Sequence, residues 1–166
     1  MTTGRRVAVY GGSFDPITNG HLDVIERALT IFDQVVVGVA GHPTKKTLFT
    51  TQERIDLIKA SVAARGISDV EVTAVTGLLA DLANEVQATA FVRGLRSGVD
   101  YENEQPMVIH NRLLTHGIET VLLVGDPALS HVSSSFVKEL ASYGADISQM
   151  APPIVVAALK TKFTPA

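Results

Sequence analysis

Val7 to His21 reads VAVYGGSFDPITNGH, and the order of residue types in it decides the fold. Val7-Ala8-Val9-Tyr10 is a short apolar run of the kind buried as a strand. Gly11 and Gly12 are expected to let the backbone turn tightly. Asp15-Pro16 continues as an irregular loop, because proline restricts both itself and the residue before it. Thr18 or Asn19 supplies a helix cap. Leu22, Ile25, Ala28, Leu29 and Phe32 then recur at helical spacing. Strand, glycine turn, loop and helix in this order aim free backbone N–H groups and the positive end of a helix dipole at one point, which suits a phosphate. His21, in the first helical turn, can add a ring donor there. Strand-to-helix connections that bind nothing use the same residue types, and a single histidine at a helix start is often merely solvated. The context has to decide.

Moving outward, Gln34-Val35-Val36-Val37-Gly38-Val39 is a β-branched run suited to a strand covered on both faces, as in a parallel sheet. The loop Gly41-His42-Pro43-Thr44-Lys45-Lys46 leaves its end. In open α/β sheets ligands gather beyond the carboxyl ends of strands. Lys45 and Lys46 are therefore placed to meet an anion, or are simply solvated. Thr50 or Thr51 caps the next helix, with Glu53 or Arg54 in its first turn and Ile55, Leu57, Ile58 and Val62 as its buried face. Gly66 ends it. Val70 to Thr73 is a third strand. Gly77-Leu78-Leu79 leads into a helix with Leu82, Ala83 and Val86, and by default Leu78 and Leu79 belong to the core.

Ala90-Phe91-Val92 is a short strand followed directly by Arg93-Gly94-Leu95-Arg96-Ser97-Gly98. Two arginines flanking this loop are hard to explain as packing, and the planar guanidinium fork matches phosphate oxygens. A salt-bridged loop is the alternative. Asp100 to Met107 opens a helical pattern in which Glu104 is an exposed carboxylate and Pro106 is expected to remove one hydrogen bond and kink the element. Thr120 to Val124 is the last clear strand. Ser130-His131-Val132-Ser133-Ser134-Ser135 follows; these serines either cap the next helix or present donors to a polyphosphate. A terminal helix carries Ile154, Val155, Ala158 and Leu159. Strands and helices alternate throughout, which predicts an α/β fold with a doubly wound, mainly parallel sheet in one domain, 1–166.

The totals narrow the function classes. A hydrophobic fraction of 46% argues for a real core and against disorder. A net charge of −3 gives no general pull toward nucleic acid. There is no cysteine, so neither a disulfide frame nor a thiolate metal site can form. No apolar run is long enough to cross a bilayer, and the start Met-Thr-Thr-Gly-Arg-Arg lacks the apolar segment of a secretory signal. A cytoplasmic protein with no membrane partner is expected.

Gly12-Ser13-Phe14-Asp15-Pro16 with Thr18-Asn19-Gly20-His21 resembles the T/HxGH signature of the nucleotidyltransferase superfamily. Arg93-Gly94-Leu95-Arg96 resembles the RGLR motif, and Ser133-Ser134-Ser135-Phe136-Val137-Lys138 the SSSxVK motif, of bacterial phosphopantetheine adenylyltransferases. The likeness runs from Tyr10 into the terminal helix. It implies a Rossmann-like nucleotidyltransferase fold that moves adenylate from ATP to 4′-phosphopantetheine, giving dephospho-coenzyme A and pyrophosphate. His21 would then stabilise the transition state, with Lys45 and Arg93 on the acceptor phosphate. Ser13 and Leu79 would contact the acceptor. Ser13, Phe14, His21, Gly94, Leu95, Arg96 and Glu104 would line ATP, followed by Leu129, Ser130, His131, Val132, Ser133, Ser134 and Ser135. Leu129 stands where relatives often carry an aromatic residue, and His131, where they carry an apolar one, has no role assigned. The resemblance further implies Mg²⁺ on the ATP phosphates, a homohexamer and feedback inhibition by coenzyme A. A different adenylyltransferase of the same fold, such as one acting on nicotinamide mononucleotide, and a non-catalytic nucleotide-binding module are the competing expectations.

Overall fold

The computed structural model describes residues 4–41 and 46–164. Five strands form one sheet: β1 (Val7–Gly12), β2 (Gln34–Ala40), β3 (Val70–Val75), β4 (Ala90–Leu95) and β5 (Glu119–Val124). Their order is β3-β2-β1-β4-β5, and every neighbouring pair is parallel. Six α-helices connect or follow them: α1 (Asn19–Ala28), α2 (Thr51–Ala64), α3 (Leu79–Glu85), α4 (Gly98–Leu114), α5 (Ser134–Ser142) and α6 (Pro153–Phe163).

The two faces of the sheet carry separate cores, as the alternation of side chains along a strand requires. Ala8, Tyr10, Val35, Val37 and Val92 point to one face, where Leu22 and Ile25 of α1, Ile58 of α2, Val137 of α5 and Leu159 of α6 cover them. Val7, Val9, Val36 and Phe91 point to the other, against Leu82 and Ala83 of α3. The chain winds outward from β1 through β2 to β3, then crosses back to place β4 on the other side of β1. The reversal opens a crevice at the carboxyl ends of β1 and β4, the place where doubly wound sheets bind ligands.

Three local expectations need correction. Gly11 and Gly12 do not turn; they continue β1, opposite Gly38 and Val39 of β2. A Cβ on Gly11 would lie 2.5 Å from the Leu79 side chain, so this glycine serves close packing. Arg93, Gly94 and Leu95 are likewise strand, paired with Leu122, Leu123 and Val124. Finally, α4 runs unbroken through Pro106. This helix buries only Asn111 and leaves Val99, Tyr101, Met107, Ile109, Leu113 and Leu114 exposed.

Candidate active site

A cleft of about 270 Å³ occupies the crevice. Tyr10 to Phe14 line it from β1 and the turn beyond, and Thr18, Gly20, His21, Asp23 and Val24 from α1. Arg93 to Leu95 contribute from β4, Arg96 from the turn just after it, and Glu104 from α4. Gly125, Asp126 and Leu129 follow β5, and Val132, Ser133 and Ser134 lead into α5. Gly94 lets α1 lie this close to β4: a Cβ there would fall 2.5 Å from Val24 Cγ2.

His21 is held by the start of its own helix. Thr18 is the N-cap; its hydroxyl accepts from the His21 N–H, and the Thr18 N–H donates to Nδ1 of the ring at 3.1 Å. This is a capping box with histidine in the position usually taken by glutamate or glutamine. The ring packs edge-on to Phe14, with centroids 5.1 Å apart. Burial, then the charges of Arg96 and Arg93, push its pKa down to about 4. The ring is therefore neutral at physiological pH. With Nδ1 accepting, its proton lies on Nε2. It is a neutral donor in a cleft that Arg93 and Arg96 also line.

The two arginines are anchored differently. Arg93 donates through Nε to Glu104 Oε2 at 2.6 Å and through Nη1 to the Gly11 carbonyl. Arg96 forks onto Asp100, with Nε at 3.1 Å from Oδ2 and Nη2 at 3.2 Å from Oδ1. Its Nη1 reaches the Val132 carbonyl at 3.1 Å and so joins β4 to the serine loop. Burial alone would push the Asp100 carboxyl up, but Arg96 holds it below the usual range.

In the serine loop the structure shows the capping role, one of the two left open by the sequence. Ser133 is the N-cap of α5, its hydroxyl accepting from the Phe136 N–H. Ser134 donates its hydroxyl to the Pro16 carbonyl at 2.7 Å. Both side chains are thus engaged, and α5 presents the unpaired backbone N–H groups of its first turn, together with its dipole, to the cleft. The facing turn carries Phe14 at φ 45°, a left-handed conformation rare for a non-glycine residue, before a cis Asp15–Pro16 bond. Asp15 is 2% exposed and accepts from the Leu48 and Phe49 N–H groups and from Lys138 Nζ at 2.5 Å. Burial would push its carboxyl up; Lys138 and the two backbone donors hold it below the usual range.

Of the site residues expected from sequence, the cleft gathers Ser13, Phe14, His21, Arg93, Gly94, Leu95, Arg96, Glu104, Leu129, Val132, Ser133 and Ser134. It does not include Ser130, His131 or Ser135, which are all exposed. Leu79 packs on the second face of the sheet and over Gly11, away from the cleft lining. Lys45 lies outside the described residues. Sequence reasoning missed Asp23, on α1 two positions beyond His21, and Gly125 and Asp126, which follow from the rule that ligands gather just beyond strand ends. It also passed over Arg54 as a buried residue. The signal was there: Arg54 shares a helical face with Leu57 and Ile58, three and four positions on.

The cytidylyltransferase-like family profile matches residues 9–140. The chain is 47% identical over 158 residues to the phosphopantetheine adenylyltransferase of Moorella thermoacetica, covering 95% of this chain and 98% of the relative. It is 46% identical to that of Heliobacterium modesticaldum, covering 95% and 92%. Among solved structures it superposes on a nicotinate-nucleotide adenylyltransferase of Vibrio parahaemolyticus, described as putative, with TM-score 0.68 and 21% identity, over 94% of this chain and 99% of the other. It also superposes on a bifunctional NMN adenylyltransferase/ADP ribose pyrophosphatase of Francisella tularensis, solved with AMP and a manganese ion. That match has TM-score 0.68 and 13% identity, over 96% of this chain and 52% of the other. At these identities the two structures speak for the fold alone.

Proposed function

The chain belongs to the phosphopantetheine adenylyltransferases of the cytidylyltransferase-like family, and we propose that the cleft between β1 and β4 is where it transfers adenylate from ATP to 4′-phosphopantetheine. The products are dephospho-coenzyme A and pyrophosphate, in the penultimate step of coenzyme A synthesis. One observation carries the assignment of the site: a neutral histidine donor, two arginines and the N-terminus of α5 converge on one crevice.

The chemistry fits that set. A phosphate oxygen of the acceptor attacks the α-phosphorus of ATP. The bond from that phosphorus to the bridging oxygen breaks, and the electron pair leaves with pyrophosphate. The nucleophile is ionised at neutral pH and needs no strong base. Catalysis rests on placing the two substrates and on stabilising charge in the transition state. His21 Nε2–H donates to the α-phosphate. Arg93, with Lys45, holds the acceptor phosphate. Arg96 and the backbone donors of α5 hold the polyphosphate, and Leu129 lies toward the base. Ser13 and Phe14 line both substrates. Leu79, Ser130, His131 and Ser135, which the family resemblance adds, do not line this cleft and carry no part of the reading.

The donor set fits a magnesium ion carried by the substrate. The carboxylates of the cleft are already engaged: Glu104 by Arg93, Asp23 by Arg27 and the Asp126 N–H, and Asp126 by the Ala128 N–H. Magnesium would then be held chiefly through ATP phosphates, as it commonly is, and would supply charge neutralisation for the leaving pyrophosphate. The apolar residues exposed on α4 support assembly of copies, a homohexamer by resemblance, in a single-domain cytoplasmic enzyme that coenzyme A inhibits. No described helix is long and apolar enough to cross a membrane.

The test is mass analysis after incubation with ATP, Mg²⁺ and either phosphopantetheine, pantetheine or nicotinamide mononucleotide. Dephospho-coenzyme A is expected from the first alone. Comparable turnover of pantetheine would defeat the phosphate assignment, and preference for the mononucleotide would favour the other adenylyltransferase.

A further inference from the structure

Arg54 and Asp15 are the two most completely buried charged side chains outside the cleft lining among the described residues, each at 2% exposure, and of the two only Asp15 has an ionic partner there. Arg54 stands in the first turn of α2, behind the carboxyl ends of β1 and β2. Nη1 donates to the Ser13 carbonyl at 2.5 Å and to the Ala40 carbonyl at 2.9 Å, and Nη2 to Thr51 Oγ1 at 3.0 Å. Nε is buried and has no partner, and no carboxylate pairs with this guanidinium among the described residues. A buried cation bonded only to neutral oxygens is costly to keep.

We propose that Arg54 is a positioning residue for adenylyl transfer. It ties the Ser13 carbonyl to the end of β2 and thereby sets the turn on which Ser13 and Phe14 face the substrates. This rests on the function proposed above. The turn needs such a hold. Phe14 is in the left-handed region, and a backbone of that kind persists only where its surroundings over-determine it. Ser134 grips the same turn from α5 at Pro16, and Lys138 grips it at Asp15. Arg54 is the hold on the strand side. Its charge, unanswered among the described residues, is answered when ATP and the acceptor bring their phosphates to the front of Ser13.

Two variants separate positioning from mere stability. R54K keeps the charge and loses the fork that reaches two carbonyls at once. V62A, also in α2, weakens the core far from the cleft. Both are assayed for kcat per folded molecule beside the thermal midpoint. The expected result is a loss of about tenfold or more in kcat for R54K, with V62A at the wild-type value. Equal kcat in R54K and V62A would overturn the proposal. Should R54K fail to fold, T51V removes one anchor of the guanidinium and keeps its charge. A fall of about threefold in kcat supports the role, and an unchanged kcat overturns it. If the unaltered protein shows no turnover at all, the proposed reaction fails on its own. ATP titration by calorimetry then decides for Arg54: affinity weaker by about fivefold or more in R54K supports it, and equal affinity overturns it.

Discussion

The Thr18 N–H donates to Nδ1 of His21 across 3.1 Å, so the catalytic candidate is also part of the cap of its own helix. One ring therefore has two separable duties: Nδ1 closes the capping box, and Nε2–H is left for the cleft.

Substitution should pull these duties apart. His21→Ala is expected to lower kcat by about 10²–10³, roughly 2.7–4 kcal/mol, the usual loss of one transition-state donor. Both KM values should change far less, because Arg93, Arg96 and α5 share ground-state binding. Loss of the cap should also lower stability by about 1 kcal/mol. His21→Gln keeps an acceptor for the Thr18 N–H, so the thermal midpoint should recover while kcat does not. Near-normal kcat in folded His21→Ala would remove His21 from the chemistry.

The pH dependence follows from the same geometry. His21 titrates at about 4 in the folded protein, below its ordinary 6.5. Between those values the unfolded chain binds a proton that the folded one refuses. Stability should therefore fall as pH drops through that window, and this contribution should be flat above it. Turnover should show no break near pH 6.5 from this ring. Long-range proton–nitrogen NMR should find the Nε2–H tautomer throughout. A His21 titration midpoint near 6.5 contradicts the reading.

Arg93 and Glu104 should behave as one unit. Their 2.6 Å contact is about three-quarters shielded from solvent, with exposures of 23% and 25%. Arg93→Lys loses the fork and Glu104→Gln loses the countercharge. Both are expected to raise KM for the acceptor while ATP affinity, by calorimetry, changes little. A double-mutant cycle should give a coupling of about 0.5–3 kcal/mol. Selective loss of ATP affinity in Glu104→Gln would instead return Glu104 to the nucleotide, as the family resemblance has it.

Lys138→Met should be the most destabilising of these changes. It leaves Asp15, buried and bonded to two backbone donors, without its cation, a loss of about 3–5 kcal/mol for a broken buried pair. Asp15 is held below the usual carboxylate range, so its contribution is present above about pH 4 and fades as pH falls below that. Without Lys138 the carboxyl shifts up, and the acid loss begins at higher pH. Adding Asp15→Asn should recover part of the stability. Thermal melts across pH 3 to 8 on the order of one unit apart will show whether the acid limb moves.

The alternation of apolar runs with helical spacings was enough for the parallel α/β architecture, because core burial imposes a period of two or of 3.6 whatever the rest of the molecule does. It also brought out most of the cleft. Residues at strand ends and helix starts face a common point in any such sheet. What the sequence could not carry were the pairings across the chain. Gly11, Gly12 and Arg93 to Leu95 look like turn residues locally, yet neighbouring strands offered partners and drew them into the sheet. The serines look like donors, yet Ser133 caps α5 and Ser134 is taken by Pro16, which lies 118 positions away along the chain. Arg54 looks like a solvated first-turn residue, yet the carbonyl of Ser13 in the turn after β1 and that of Ala40 at the end of β2 converge on it. Such contacts are long-range. They depend on where separate elements dock, and only the tertiary structure decides that.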